Sequence, residues 1–93
     1  MKLKTMNSQQ IQFSVYSYLT TRGHEFNAPY GILQGEHTNK KGTKYLSVTF
    51  GRARKLDATV EIYNRNFIVL RTSSHGSQVF KNFEDLQKVL HTL

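Results

Sequence analysis

Ninety-three residues without a cysteine make one domain with a single core, and exclude both a disulfide framework and a thiolate metal site. Thirteen Lys and Arg against six Asp and Glu leave a formal charge of +7 at pH 7, a balance that favours polyanionic partners. With 38% hydrophobic residues in periodic groups the chain is expected to fold, and no stretch approaches the roughly 18 consecutive apolar residues of a membrane span.

The opening MKLKTMNSQQ has two lysines with no apolar run behind them, which makes a poor signal peptide. A cytoplasmic protein with no membrane partner is expected, residues 1–7 serving as a flexible lead-in. Over residues 8–22 two periods compete. Ile11, Val15, Tyr18 and Leu19 fall on one helical stripe, whereas Ile11, Phe13 and Val15 alternate as in a strand. The alternation fails at Tyr16, Asn7 or Ser8 can cap a helix, and Gly23 stands where one would stop. The segment therefore reads as a helix.

Pro29 biases Ala28 towards extended backbone, and four strands follow, over residues 30–37, 43–50, 57–63 and 67–72. The first two are joined by NKKG, with Asn39 opening a type I turn and Gly42 at the position that needs a left-handed residue. A bulge at Gly42 pairs Asn39 with Thr43 and sets Ile32 opposite Phe50, Gln34 opposite Val48 and Glu36 opposite Leu46. Ile32, Leu46, Val48 and Phe50 then share the core face, and Lys40 and Lys41 stand at the hairpin tip.

In the second hairpin the turn around NRN can hold two or three residues. Ala58, Val60 and Ile62 form the inner face of its first strand, but the return strand carries Phe67, Ile68, Val69 and Leu70 in succession. Only one alternate pair can join the core. The other, Phe67 with Val69 or Ile68 with Leu70, needs cover from a helix, a terminal segment or another molecule. Val79 and Phe80 can add a fifth short strand. Asn82, with Asp85 three positions on, caps a last helix whose stripe is Phe83, Leu86, Leu90 and Leu93. The expected fold is α+β: an antiparallel sheet of four strands, or five, built from two hairpins, with an N-terminal and a C-terminal helix packed on it.

Charge is unevenly placed on this frame. Residues 38–55 hold six of the thirteen cations and no acid, so the rest of the chain is close to neutral. Lys40, Lys41 and Lys44 cluster at one end of the second strand, and Arg52, Arg54 and Lys55 follow its other end, roughly 20 Å away at about 3.3 Å per residue. Such a spacing suits several phosphates of a nucleic acid. The plainer role of such lysines is to guard strand edges against aggregation, but a merely soluble surface mixes its signs. Tyr45 faces away from the core beside His37, Ser47 and Thr49, where it can stack a base or touch a sugar, or simply cover apolar sheet with its hydroxyl in water.

Catalysis and metal binding have little support. His24, His37, His75 and His91 share no ligand spacing. TSSHGSQ places Ser73, Ser74 and His75 side by side, but adjacency in sequence is not a triad, and no G-x-S-x-G frame is present. The one enzyme reading left is a small ribonuclease using His75, Arg71 and a tyrosine. The sequence thus leads to a small non-catalytic nucleic-acid-binding regulator, DNA or RNA, without a cofactor or metal. Its contact residues are Lys40, Lys41, Lys44, Tyr45, Arg52, Arg54 and Lys55. The alternative is a regulator or inhibitor, of the compact kind bacteriophages encode, docking on a protein partner through the surplus apolar face of the 57–72 hairpin or the basic hairpin. That face would equally suit a homodimer.

Overall fold

The computed structural model describes residues 7–25, 31–51, 57–74 and 76–92. Its first element is closed by a reciprocal cap: the Asn7 side chain accepts from the Gln10 amide at 2.9 Å, and the Gln10 side chain accepts from the Asn7 amide at 2.9 Å. Helix α1 (Ser8–Glu25) follows. Ile11, Val15 and Leu19 are buried as the helical stripe requires, while Phe13, which only the strand period would have turned inward, is exposed. The helix runs past its expected end. Gly23 is buried inside its last turn, so packing there outweighs the roughly 1 kcal/mol by which glycine disfavours a helix.

Strands β1 (Gly31–Thr38) and β2 (Lys44–Gly51) form the first hairpin. Gly42 has φ of 85°, its amide donates to Asn39 O at 3.0 Å, and the Asn39 amide donates to Thr43 O at 2.9 Å. This is the expected type I turn with a glycine bulge. It yields the expected register, Ile32 opposite Phe50, Gln34 opposite Val48 and Glu36 opposite Leu46.

Strands β3 (Ala58–Asn64), β4 (Phe67–Thr72) and β5 (Gly76–Phe80) continue one antiparallel meander in the order β1-β2-β3-β4-β5. Between β3 and β4 the register shifts: Ile62 faces Ile68 but Asn64 faces Phe67, so Tyr63 is the extra, bulged residue and the turn holds Arg65 and Asn66. The fold is therefore α+β with five strands. Helix α2 (Phe83–Leu90) is capped by Asn82, whose side chain accepts from the Asp85 amide at 2.8 Å. Leu86 and Leu90 are buried and Phe83 packs against the core; Leu93, the expected end of the stripe, lies outside the described residues.

Both helices press on one face of the sheet, where Val48, Phe50, Val60, Ile62, Ile68 and Leu70 are all at most 2% exposed. Gln12, one of the polar residues that break the apolar run of α1, ties this helix down by donating to Gly35 O at 3.2 Å and Ser47 O at 3.1 Å. The smallest extent of the molecule is 21 Å, enough for one sheet and one helical layer at about 10 Å each. The opposite face of the sheet carries no helix among the described residues. Because strand direction alternates, the β1–β2 turn, the β3–β4 turn and the exit from β5 all lie at one end of the sheet.

Candidate nucleic-acid interface

At that end the backbone is held by side-chain turns. Asn39 Oδ1 accepts from the Lys41 amide at 2.9 Å and the Thr43 amide at 3.0 Å, which fixes the loop and leaves Lys40, Lys41 and Lys44 projecting and exposed. Asn64 Oδ1 accepts from the Asn66 amide at 2.8 Å in the next turn, with Arg65 exposed. Lys81, also exposed, follows the last residue of β5. None of these five cations has an ion pair among the described residues. The segments that hold them contain no acid, although α2 begins nearby on the helical side with Glu84 and Asp85.

The helix-free face is ordered in cross-strand rows. One comprises Gly35, Ser47, Glu61, Val69 and Val79. Ile68 and Leu70 are the core pair, so Phe67 and Val69 are the surplus pair, and Val69 is only 5% exposed without any helix above it. Glu61, beside Val69 in the register, receives Arg71 Nε at 3.1 Å and the Tyr63 hydroxyl at 2.9 Å, which draws long side chains across the middle of the sheet.

Nearer the basic end lies a row of rings from four strands: His37, Tyr45, Tyr63 and Phe67. Centroids are 5.3 Å apart for His37 and Tyr45, 4.9 Å for Tyr45 and Tyr63, and 5.0 Å for Tyr63 and Phe67, with interplanar angles of 34°, 31° and 32°. Rings this close and tilted by only about 30° lean face towards face, since flat rings side by side would stand farther apart. Each ring therefore turns its face to its neighbour. Tyr45 is sandwiched, and what it shows to solvent is an edge. The bulge at Tyr63 keeps that ring in line with Phe67 across a shifted register. His37 Nε2 meets Ser47 Oγ at 2.9 Å above Gly35, where a Cβ would lie only 2.8 Å from the imidazole nitrogen; glycine makes room for this contact.

Two titrations on this face are shifted. Burial first, then the hydrogen bond and charge of Glu61, raise the Tyr63 phenol above its ordinary range, although the Arg71 side chain opposes this. The hydrogen bond and charge of Glu61 raise Arg71 above its ordinary range.

Of the residues selected from sequence, Lys40, Lys41, Lys44 and Tyr45 come together at one end of the sheet. Arg52, Arg54 and Lys55 lie outside the described residues. Arg65, Lys81 and Phe67 were not selected from sequence, because only the meander brings them to the same end of the sheet as the first hairpin's turn. Arg71 is committed to Glu61 and donates to Ser77 Oγ at 2.9 Å; His75, its partner in the ribonuclease reading, lies outside the described residues, as does the His24 side chain.

On the helical layer, Arg22 donates to His91 Nδ1 at 3.0 Å and to the Tyr18 hydroxyl at 3.3 Å, clasping α1 to the end of α2. Arginine only donates, so His91 accepts at Nδ1. The shallow hollow beside this clasp has both Glu84 and Lys88 on its wall and no preference for either charge. Among the described residues no cluster of His, Asp and Glu could hold a metal ion.

The geometry defines a two-layer α+β domain with a sheet face that no helix covers among the described residues and with a basic end. Comparison with protein-family models, curated proteins and solved structures finds no match.

Proposed function

We propose that this domain is a non-catalytic nucleic-acid-binding module that holds phosphates with the basic stretch of residues 38–55. The observation that carries this reading is the tip of the first hairpin. Lys40, Lys41 and Lys44 project from a rigid turn, are exposed, and have no ion pair among the described residues. A turn already closed by hydrogen bonds leaves only the side chains to be ordered on meeting phosphates, and each contact releases counterions. In sequence Arg52, Arg54 and Lys55 follow Gly51 and supply the other three cations of this stretch. The hydroxyl edge of Tyr45, beside Lys44, suits a sugar or phosphate contact better than a stacked base.

The test is K40E/K41E against wild type on single-stranded and duplex DNA and RNA probes. Both side chains are outside the core, so the melting temperature is expected to stay within a few degrees while binding is lost. Equal affinity of the two proteins for every probe would remove the hairpin from the interface.

A second reading has its own observation. Phe67, Leu33 and Val79 are 43%, 61% and 60% exposed, all on the helix-free face, as a docking surface for another protein or a second copy would be. Such an interface would persist at high salt, where phosphate binding weakens steeply.

A further inference from the structure

We infer that the ligand is a single strand crossing the basic end of the sheet, and that Phe67 is the platform on which one of its unpaired bases stacks. This rests on the nucleic-acid reading above and adds to it which class of nucleic acid is bound, and where. Within the ring row the inner faces are already used. Tyr45 lies between His37 and Tyr63, and Tyr63 between Tyr45 and Phe67, so only the two end rings keep an outward face. His37 is engaged with Ser47. Phe67 has no polar group to satisfy and is 43% exposed.

Its surroundings select the occupant. Ile68 pairs with Phe80, so the next position across from Phe67 belongs to Lys81, and Arg65 stands two residues before Phe67 in the turn. An open aromatic face flanked by two exposed cations matches a base with its neighbouring phosphates. An apolar protein surface would have to bury those charges unpaired. From Lys40 and Lys41 in the β1–β2 turn past the ring row to Lys81 after β5, the cations span about 17 Å at 4.8 Å per strand, which allows several nucleotides. In a duplex the base faces are stacked on one another, so Phe67 can take a base only where the strand is unpaired.

The chain has no tryptophan, so Phe67→Trp creates a single fluorescent reporter at the platform. Titration with oligo-dT and oligo-U is expected to quench it, and whichever quenches at lower concentration identifies DNA or RNA as the preferred source. A blunt duplex is expected to leave it unquenched. Phe67→Ala should weaken single-strand binding roughly 5- to 150-fold, the range for losing one stacked base, with an unchanged salt slope. If Phe67→Ala binds single strands as wild type does while K40E/K41E does not, the platform is refuted and phosphate binding stands. If wild type binds no probe, both fall. If wild type is a dimer on sizing and Phe67→Ala a monomer, the exposed ring belongs to a protein interface and the inference is overturned.

Discussion

Replacing Leu70 and, separately, its neighbour Val69 by lysine should give sharply unequal results, because the two side chains sit on opposite faces of the same strand. Leu70 is 1% exposed beneath the two helices. Leu70→Lys removes about 2 kcal/mol of apolar burial and places an ammonium in the apolar core, a further cost of several kcal/mol. Stability for a chain of this size is about 5 to 14 kcal/mol at 0.05 to 0.15 per residue. The variant is therefore expected to be largely unfolded at 37 °C. Val69 is nearly as inaccessible, at 5%, but no helix lies over it among the described residues, and a lysine there can lay its stem over the sheet and raise its amine into water. The expected loss is about 1 to 2 kcal/mol, a fall in melting temperature of roughly 5 to 15 °C. Circular dichroism melts of the three proteins measure this directly. Unfolding of both variants to the same degree would mean that the sheet is buried on two sides and that the open face does not exist.

Gly42→Ala forces a side chain into a backbone with φ of 85°; it should cost about 1 kcal/mol by chemical denaturation, and Gly42→Asn distinctly less, whereas equal stability of all three would remove the left-handed turn. Tyr63→Phe should flatten the alkaline limb of the stability curve. The raised phenol holds its proton more tightly when folded, so its contribution is complete below the ordinary value near pH 10 and is lost as pH rises through the folded value. Melting temperatures of both proteins from pH 8 to 11 check this, and parallel curves would contradict it.

Turn chemistry explains why the first hairpin was legible. Asn39 and Gly42 allow one loop geometry, and the alternation of Leu46, Val48 and Phe50 then leaves a single register. The helix at the amino terminus was decided by the position of Tyr16, and burial of Ile11, Val15 and Leu19 follows from it. Gly23 misled because its role as a stop is a local preference, whereas its place in the last turn is set by packing. The extent of β5 was hidden for a related reason: Gly76, Ser77 and Gln78 have no strand character and are held as a strand by pairing with β4. At the candidate site, the tip lysines could be read from local density of charge. Arg65 and Lys81 could not, since they are isolated in sequence and share the hairpin's end of the sheet only through the alternating direction of the strands. Tyr45 was correctly placed on the outer face, but its sandwiching depends on rings from three other segments and on the bulge at Tyr63. Phe67 did leave a signal, as one of the surplus apolar pair, and its exposed face is what that surplus becomes.

The most direct test is the salt dependence of wild-type binding to an oligonucleotide, followed by fluorescence anisotropy between about 50 and 200 mM salt. If the six cations of residues 38–55 each neutralise a phosphate, the logarithm of the affinity should fall against the logarithm of salt with a slope of about −4 or steeper for a single strand, at roughly 0.7 ions released per phosphate. A complex whose affinity does not change over that range would contradict phosphate binding, however tight it is.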